Sequence, residues 1–401
     1  MGNICVIGLG YVGLPLVINA SLKGIYLNGY DVDSSKISSL NSGSCYIKDY
    51  VNSFKRLKFE KHTFSDKPTF LKECETIIIC VPTPVNQDLK PDHSYVNSVI
   101  DTLIEMEHLP KLIVLESTVA PGYTRKNIVE RLEAKFAKTC GHDFHVCFSP
   151  EREDPGNTEY TNIRIPKVLG GYTPACFNVC SEVYSSIFES IIKASSLETA
   201  ELTKLHENTF RAVNIAYVNQ LRDVSCDIGV DLKEVIDLAS SKPFGFTRFE
   251  PSNGVGGHCI PVDPYFILDD FPSDSIVHNA MSYICELPGK TFDWIQEISN
   301  TNDKFIVVGL GYKSGVDDLR NSPNMQLLQL LADKFETFFY DPSIDNSVIN
   351  GVESLDISDI CFDEFKIVIS NSAGEAIISS MGVDRYYDAR YRREINSNSS
   401  N

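Results

Sequence analysis

One cysteine stands in a glycine- and proline-rich segment whose residue types suit covalent chemistry. The segment 254–264 reads GVGGHCIPVDP, so three glycines precede Cys259 and two prolines follow it. Glycines let a backbone approach a bound molecule closely, and a thiolate forms covalent adducts with carbonyl carbons. Asp263 could position a water molecule or act as a base. Cys259 is therefore a candidate nucleophile; in a chain with twelve cysteines, an inert thiol is the alternative.

Three polar residues share one face of a predicted helix. Lys204, Asn208 and Arg211 are spaced i, i+4 and i+7, although a solvated polar stripe would show the same spacing. Apolar residues recur at spacings of mostly three and four from about Ser195 to Leu238, which predicts one extended helix. Such a helix must bury its apolar stripe, so it would serve as a spine and as a possible dimer interface.

A glycine turn near the N-terminus has the context of a dinucleotide site. Gly8, Gly10 and Gly13 follow an apolar strand and open a helix, so the backbone could approach a pyrophosphate. Asp31 lies 23 residues after Gly8, at the end of the second apparent strand. A carboxylate there binds ribose hydroxyls and repels a 2′-phosphate, so NAD is favoured over NADP. The alternative is a glycine turn with no ligand.

Polar residues follow three further strand-like runs, 76–81, 112–115 and 144–148. Thr83 lies in VPTP, Thr118 ends EST, and Glu151 ends SPE. Each could be an ordinary cap or turn, but ligands of open α/β sheets bind at the carboxyl ends of the strands. Three such ends together predict a shared crevice.

The chain repeats one pattern, which indicates its domain organisation. ICVIGLGYVG begins at Ile4 and IVVGLGYKSG at Ile306, and each is followed by a Tyr-Asp pair at a strand end. Alternating strands and helices predict α/β domains with doubly wound parallel sheets. We expect a first domain over 1–190, a central helical domain over 191–290, a last domain over 291–395, and a disordered tail over 396–401.

Composition limits the partners. The chain has 401 residues, 43% of them hydrophobic and 22% charged, and a net charge of −18, which argues against nucleic acid and anionic membrane surfaces as partners. No cysteine or histidine spacing predicts a metal site. The twelve cysteines suit reduced thiols, so we expect a soluble, cytoplasmic protein.

Several motifs in order carry a family resemblance. They are GLGYVGLPL, VPTP, ESTV, SPER, ENTFRAVNIA, GVGGHCIPVDP and GYKSGVDDLRNSP, and with them the chain resembles the UDP-glucose/GDP-mannose dehydrogenase family over nearly its whole length. The resemblance implies two Rossmann-like domains joined by a long helix that dimerises, NAD as cofactor, and a UDP-sugar as substrate. It also implies a homodimer that makes precursors for polysaccharides or glycans.

The resemblance assigns roles motif by motif. Cys259 matches the catalytic nucleophile, Lys204 and Asn208 match residues that stabilise the reacting oxygen, and Asp263 matches the acid associated with a catalytic water. Thr118 and Glu151 match polar residues of the same chamber. The expected cofactor contacts are Gly8, Gly10, Tyr11, Val12, Gly13, Asp31, Thr83 and Thr118. The expected substrate contacts are Glu151, Arg152, Lys204, Asn208, Arg211, Gly256, Lys313 and Arg320.

Within the family, Arg152, Arg211, Asn214 and HCIP resemble the UDP-N-acetylhexosamine 6-dehydrogenases, and KPFGFT from Lys242 favours UDP-N-acetylglucosamine. UDP-N-acetylmannosamine and UDP-glucose are the alternatives. Three segments depart from the family pattern. They are PSNG at 251–254 in place of PGPG, Gly315 in place of Asn, and ISNSAG at 369–374.

The implied reaction removes two hydrides from C6 of the sugar. NAD takes the first and leaves an aldehyde, Cys259 adds to it, a second NAD converts the adduct to a thioester, and water hydrolyses that ester. Two further interpretations fit the sequence. One is a two-electron hydroxyacid dehydrogenase, which needs no cysteine; the other is a non-catalytic nucleotide-binding protein.

Overall fold

The computed structural model describes residues 3–152, 164–311, 319–344, 347–356, 364–381, 383 and 385–396. The chain forms two compact units. The first comprises Met1–Glu207 with Tyr265–Ile267, and the second comprises Asn208–Pro264 with Leu268–Asn401.

The first unit is built on an eight-stranded sheet. Its strands are β1 (Ile4–Ile7), β2 (Asn28–Tyr30), β3 (Phe64–Ser65), β4 (Thr76–Ile79), β5 (Leu112–Leu115), β6 (His145–Phe148), β7 (Lys167–Gly171) and β8 (Ile191–Lys193). Their order is β3-β2-β1-β4-β5-β6-β7-β8, and every neighbouring pair is parallel except β6–β7. Because β1, β4, β5 and β6 are neighbours, their carboxyl ends share one edge of the sheet.

Helices cover this sheet. They are α1 (Gly13–Leu22), α2 (Ser34–Asn41), α3 (Val51–Phe54), α4 (Ser94–Glu105), α5 (Glu130–Phe136) and α6 (Pro174–Ile187). Short 3₁₀ helices occupy Lys48–Tyr50, Phe59–Lys61 and Pro68–Glu73, and a π-helical stretch, Arg125–Val129, leads into α5. All residues of β1, β4 and β5 are buried, as expected for parallel strands with both faces covered.

The predicted helix over Ser195–Leu238 is two helices, so that prediction was wrong in its length. The structure has α7 (Leu197–Asp227) and α8 (Leu232–Ser240). Gly229 adopts a φ of +71°, a left-handed conformation that ends helices, and the Asp231 side chain then accepts a hydrogen bond from Lys233 N at 2.8 Å and caps α8. The boundary between the two units falls within α7, after Glu207.

The second unit has a five-stranded sheet. Its strands are β9 (Lys304–Val308), β10 (Glu336–Tyr340), β13 (Phe365–Ile369), β14 (Arg385–Asp388) and β15 (Arg393–Asn396), in the order β10-β9-β13-β14-β15. Only the β14–β15 pair is antiparallel among these strands. A separate antiparallel ribbon joins β11 (Val348–Ile349) to β12 (Val352–Glu353). The helices from α9 on are α9 (Tyr265–Leu268), α10 (Ile276–Glu297), α11 (Pro323–Ala332) and α12 (Ser372–Met381).

The predicted fold class is confirmed: the chain contains two mostly parallel α/β sheets and a long helix between them in sequence. The division into three domains stays a prediction. Asn396 ends β15, and the rest of the predicted tail lies outside the described residues. No helix among the described residues is long and apolar enough to cross a membrane.

Candidate active site

The first glycine turn leaves room for a bound group on one side only. Gly8 has a φ of +89°, and a Cβ there would lie 2.7 Å from the carbonyl oxygen of Cys80. A Cβ at Gly13 would collide with the carbonyl oxygen of Gly8. At Gly10, by contrast, a Cβ would meet no atom within 4 Å. The turn is therefore closed against the sheet and open at Gly10, which is the form that a pyrophosphate requires.

Asp31 faces this turn from the end of β2. The Asp31 carboxylate accepts hydrogen bonds from Leu9 N at 2.8 Å and Asp33 N at 3.0 Å, and Lys36 Nζ lies 3.3 Å from it. Asp31 is buried, so the backbone and Lys36 fix the position of its charge. A 2′-phosphate would meet this carboxylate, whereas ribose hydroxyls could donate to it.

The carboxyl edge of the first sheet gathers the expected strand-end residues. Ser117 Oγ donates to the carbonyl oxygen of Val81 at 2.7 Å and so connects the segments that follow β4 and β5. Thr83 and Thr118, in those segments, are half-buried. Tyr11 and Val12, inside the glycine turn, are half-buried as well.

A buried network under this edge was missed by the sequence analysis. Glu116 pairs with Lys167 Nζ at 2.7 Å and accepts from the Tyr184 hydroxyl at 2.5 Å, and all three side chains are buried. Burial and the Glu116 charge raise the pKa of Tyr184 well above its ordinary value. The only signal in the sequence was an acid directly before Ser117-Thr118, and its partners are 51 and 68 residues away.

Lys204 and Glu151 form a second buried ion pair in the first unit. Lys204 Nζ donates to the backbone carbonyl of Glu151 at 2.6 Å and lies 3.3 Å from its carboxylate. Arg152 instead binds the Glu207 carboxylate, with NH2 at 2.7 Å, and donates to the carbonyl of Pro166. The structure thus brings together a lysine and a carboxylate that the sequence analysis placed in one chamber.

The second unit holds the other half of the predicted catalytic set. Asn208 donates through Nδ2 to the Asp263 carboxylate and accepts through Oδ1 from the Arg211 guanidinium. Asn208 and Asp263 are almost fully buried. Because Arg211 orients the Asn208 amide, the Nδ2 group points to Asp263. Arg211 therefore orients Asn208, and Asn208 in turn orients Asp263, the acid that is predicted to hold a water molecule.

The Cys259 loop is a turn held by backbone hydrogen bonds. The carbonyl of Cys259 accepts from Val262 N at 3.1 Å and from Asp263 N at 2.8 Å, so the cysteine and the acid lie on one turn. Gly257, with a φ of +81°, donates from its backbone to the carbonyl of Arg320 at 2.9 Å. Cys259 is half-buried, whereas most of the other cysteines in the described ranges are buried.

Of the two substrate contacts predicted for the second α/β domain, Arg320 and Lys313, the structure describes only Arg320. Arg320 is exposed, and its NH2 lies 3.2 Å from Nδ1 of His258, next to the cysteine. Gly256, in the same loop, is half-buried. Lys313 and Gly315 lie outside the described residues. Within the described part of the chain, no cluster of three or more His, Cys, Asp or Glu could hold a metal ion.

Two segments that depart from the family pattern contact each other. Asn253 N donates to the carbonyl of Ser370 at 3.0 Å, and Asn253 Nδ2 donates to the carbonyl of Pro323 at 3.0 Å. Asn253 is almost fully buried. A proline at position 253 could donate neither of these hydrogen bonds. The departure at 251–254 therefore allows a contact with the departure at 369–374. The two departures lie more than a hundred residues apart in the sequence, and only the tertiary structure links them.

These features define a dehydrogenase with a NAD-binding α/β unit. The NAD-binding domain model of the UDP-glucose/GDP-mannose dehydrogenase family matches residues 2–188, and the central-domain model of that family matches residues 198–287. The chain belongs to this family, and it is an NAD-dependent UDP-sugar dehydrogenase.

Two relatives and one solved structure show the likeness. The UDP-N-acetyl-D-mannosamine dehydrogenase of Pyrococcus horikoshii is 34% identical over 399 residues, covering 95% of this chain and 94% of that protein. The enzyme of the same name from Escherichia coli is 32% identical, covering 85% and 86%. The solved structure of a Pyrococcus horikoshii UDP-D-ManNAc dehydrogenase has a TM-score of 0.83 and 31% identity, covering 92% of this chain and 89% of that one.

Proposed function

We propose that this protein oxidises the C6 alcohol of UDP-N-acetyl-D-mannosamine to a carboxylate. The assignment of this substrate rests on one observation: the two relatives named above, which cover most of the chain, are both UDP-N-acetyl-D-mannosamine dehydrogenases. The two relatives named above do not carry the name of UDP-N-acetylglucosamine, which the KPFGFT segment favours. UDP-N-acetylglucosamine becomes the second candidate, and UDP-glucose the third.

The chemistry rests on the turn that contains Cys259 and Asp263. When bound, NAD would supply the hydride acceptor for two oxidations, one NAD molecule for each: from alcohol to aldehyde and from the thiol adduct to the thioester. Between the two oxidations, the Cys259 sulfur bonds to the aldehyde carbon, and the proton of the thiol passes to the aldehyde oxygen. Water then attacks the thioester carbon, the carbon–sulfur bond breaks, and the carboxylate leaves the restored thiol.

The other residues act on charge and on water. Asp263, oriented by Asn208 and by the backbone bond to Cys259, holds the water for hydrolysis and accepts its proton. Lys204 brings a fixed positive charge to the reacting oxygen, because its ammonium group is buried and held by Glu151. Thr118, in the segment that follows β5, contributes a hydroxyl group to the reaction site. Gly8, Gly10, Gly13 and Asp31 hold the cofactor.

A substrate panel tests the proposal. Initial rates of NADH formation are measured with UDP-N-acetyl-D-mannosamine, UDP-N-acetylglucosamine and UDP-glucose at equal concentrations. We expect the highest kcat/KM with the mannosamine derivative. A higher kcat/KM with either other sugar would refute the substrate assignment while leaving the dehydrogenase class intact.

We also propose a homodimer through α7. Phe210, Tyr217 and Val224 are 47%, 62% and 53% exposed and recur every seven residues on this helix, and Ile228, which is 67% exposed, follows directly after its end. A stripe of large exposed apolar residues is typical of an interface. Sedimentation of the natural protein should give twice the chain mass. The variant Tyr217→Glu should shift it to one chain mass, and a monomeric natural protein would refute the proposal.

A further inference from the structure

A buried carboxylate on α7 has no place in the catalytic set described above. Glu201 has no exposed surface, and it precedes Lys204 by three residues, so both lie on the same part of the helix. Its Oε2 accepts a hydrogen bond from Gly122 N at 2.6 Å, and its Oε1 accepts from Thr124 N at 3.0 Å. Both carboxylate oxygens are therefore used on backbone groups of another segment.

That segment begins at the end of β5 and contains Thr118. After Thr118 the chain turns at Gly122, with a φ of +88°, and enters the helical residues 123–136. The first N–H groups of a helix have no partner within the helix, and Glu201 supplies acceptors for two such groups. The partial positive charge of a helix start also favours an anion. Burial raises the pKa of Glu201 above its ordinary value, and the bonds from Thr124 and Gly122 offset only part of that shift.

We propose that Glu201 is a positioning residue that fixes the Thr118 hydroxyl relative to Lys204. This proposal rests on the proposed function, because it takes Thr118 and Lys204 as parts of the reaction site. A carboxylate is needed because it accepts two N–H groups with two oxygens. A glutamine would turn its NH2 towards one of the N–H donors and release that end of the segment.

Other contacts keep this segment folded when Glu201 is altered. Arg125 Nε binds the Glu198 carboxylate at 2.7 Å, and Glu198 also lies on α7. The Tyr123 ring lies 4.2 Å from the His93 ring, and its hydroxyl donates to Asn97 at 2.9 Å. These anchors hold Tyr123 and Arg125, whereas Glu201 also holds Gly122, the residue of the turn nearest to Thr118. Loss of Glu201 should therefore displace Thr118 without unfolding the unit.

The test compares Glu201→Gln with Glu198→Gln, a matched control on the same helix that contacts the same segment. Full-length proteins are assayed with NAD and UDP-N-acetyl-D-mannosamine, or with the best sugar from the panel, and melting temperatures confirm folding. We expect Glu201→Gln to lower kcat by about tenfold to a hundredfold and to leave KM for the sugar within about twofold. Glu198→Gln should change kcat by less than about twofold.

A double-mutant cycle with Thr118→Ala decides whether Glu201 acts through Thr118. If it does, Glu201→Gln should lower kcat no further in the Thr118→Ala background. An equal additional loss in that background would overturn the proposal, and so would a Glu201→Gln enzyme with unchanged kcat. If Glu201→Gln does not fold, Glu201→Asp, which keeps the charge but shortens the reach, takes its place with the same expected results.

Thr118→Ala alone separates this proposal from the proposed function. A loss of kcat in Thr118→Ala together with an unchanged Glu201→Gln enzyme refutes the positioning role alone. An unchanged Thr118→Ala enzyme refutes the assignment of Thr118 and, with it, the route by which Glu201 would act.

Discussion

The two glycine turns of the molecule share a backbone design and differ in what completes them. Gly8 N donates to Tyr30 O at 2.9 Å, and Gly309 N donates to Tyr340 O at 3.0 Å. In each unit the acid that follows the tyrosine accepts a bond from the leucine after the glycine, Leu9 N to Asp31 at 2.8 Å and Leu310 N to Asp341 at 2.9 Å.

Beyond these bonds the turns diverge. In the first, α1 begins at Gly13, so the helix start faces the turn. In the second, the next helix among the described residues, α11, begins at Pro323. Amide side chains donate to the carbonyl oxygens of this turn, Asn324 Nδ2 to Gly309 O at 2.6 Å and Asn371 Nδ2 to Gly311 O at 2.8 Å. Two similar local sequences are thus completed differently, by the start of α1 in the first unit and by asparagine side chains in the second.

The largest effect is expected at Gly13. Gly13→Ala places a Cβ against the carbonyl of Gly8, so the first unit should lose more than about 4 kcal/mol of stability and all measurable NAD binding. Calorimetry and titration with NAD measure both. Gly10→Ala is the matched control, because its Cβ has open space: it should fold normally and only weaken NAD binding. Normal NAD affinity in Gly13→Ala would show that the turn is not the cofactor site.

The two equivalent aspartates should separate cofactor binding from stability. Asp31→Ala should raise KM for NAD by about tenfold or more, because one or two hydrogen bonds to a charged group are lost. The variant should also show a smaller preference for NAD over NADP. Asp341→Ala should destabilise the second unit and leave KM for NAD unchanged. Steady-state kinetics with both cofactors measure the difference. Equal rises in KM for NAD would mean that the second turn also binds the cofactor.

A moderate effect is expected where the two departing segments meet. Asn253→Ala removes the bonds from Nδ2 to Pro323 O and Asn324 Oδ1 and leaves buried acceptors without those donors. The protein should lose about 1–3 kcal/mol of stability, with KM for NAD unchanged because the change lies in the second unit. Denaturant unfolding measures the loss. Wild-type stability would contradict the structural role of Asn253.

The smallest effect concerns the pH dependence of the first unit. Burial lowers the pKa of His93, whose ring contacts Tyr123 and Phe266, and the charge of Asp92 offsets part of this shift. Because the unfolded state binds a proton more readily, stability should fall as the pH drops below about 6.5 towards the folded pKa. His93→Phe keeps an aromatic ring and removes this titration. Melting temperatures between pH 7 and 5 should then fall less steeply than in the natural protein, and an unchanged slope would contradict this account.

Some of the architecture was predictable from the sequence because it depends on local patterns. The repeat of strand, glycine turn and Tyr-Asp predicted both α/β units, and apolar runs predicted β4 and β5. The Cys259 loop and the helical spacing of Lys204 and Asn208 could likewise be recognised from neighbouring residues. The break between α7 and α8 was missed because the apolar periodicity continues across Gly229, whose φ of +71° ends the helix.

Contacts between distant residues were not predictable. Glu116 and Lys167, Glu201 and Gly122, and Asn253 and Ser370 are each joined by hydrogen bonds, yet at least 51 residues separate every pair. Nothing in a single sequence links such partners. The role of Arg152 shows the same limit, because its pairing with Glu207 depends on how α7 packs.

The central claim is that Cys259 carries the sugar between two oxidations. The most direct measurement is the ratio of NADH formed to UDP-sugar consumed, with the product identified by mass spectrometry, for the natural enzyme and for Cys259→Ser. The account predicts a ratio of two, a uronic acid product, and turnover lower by orders of magnitude in Cys259→Ser, because serine is a far weaker nucleophile without an activating base. A ratio near one with released aldehyde, or normal turnover by Cys259→Ser, would contradict it.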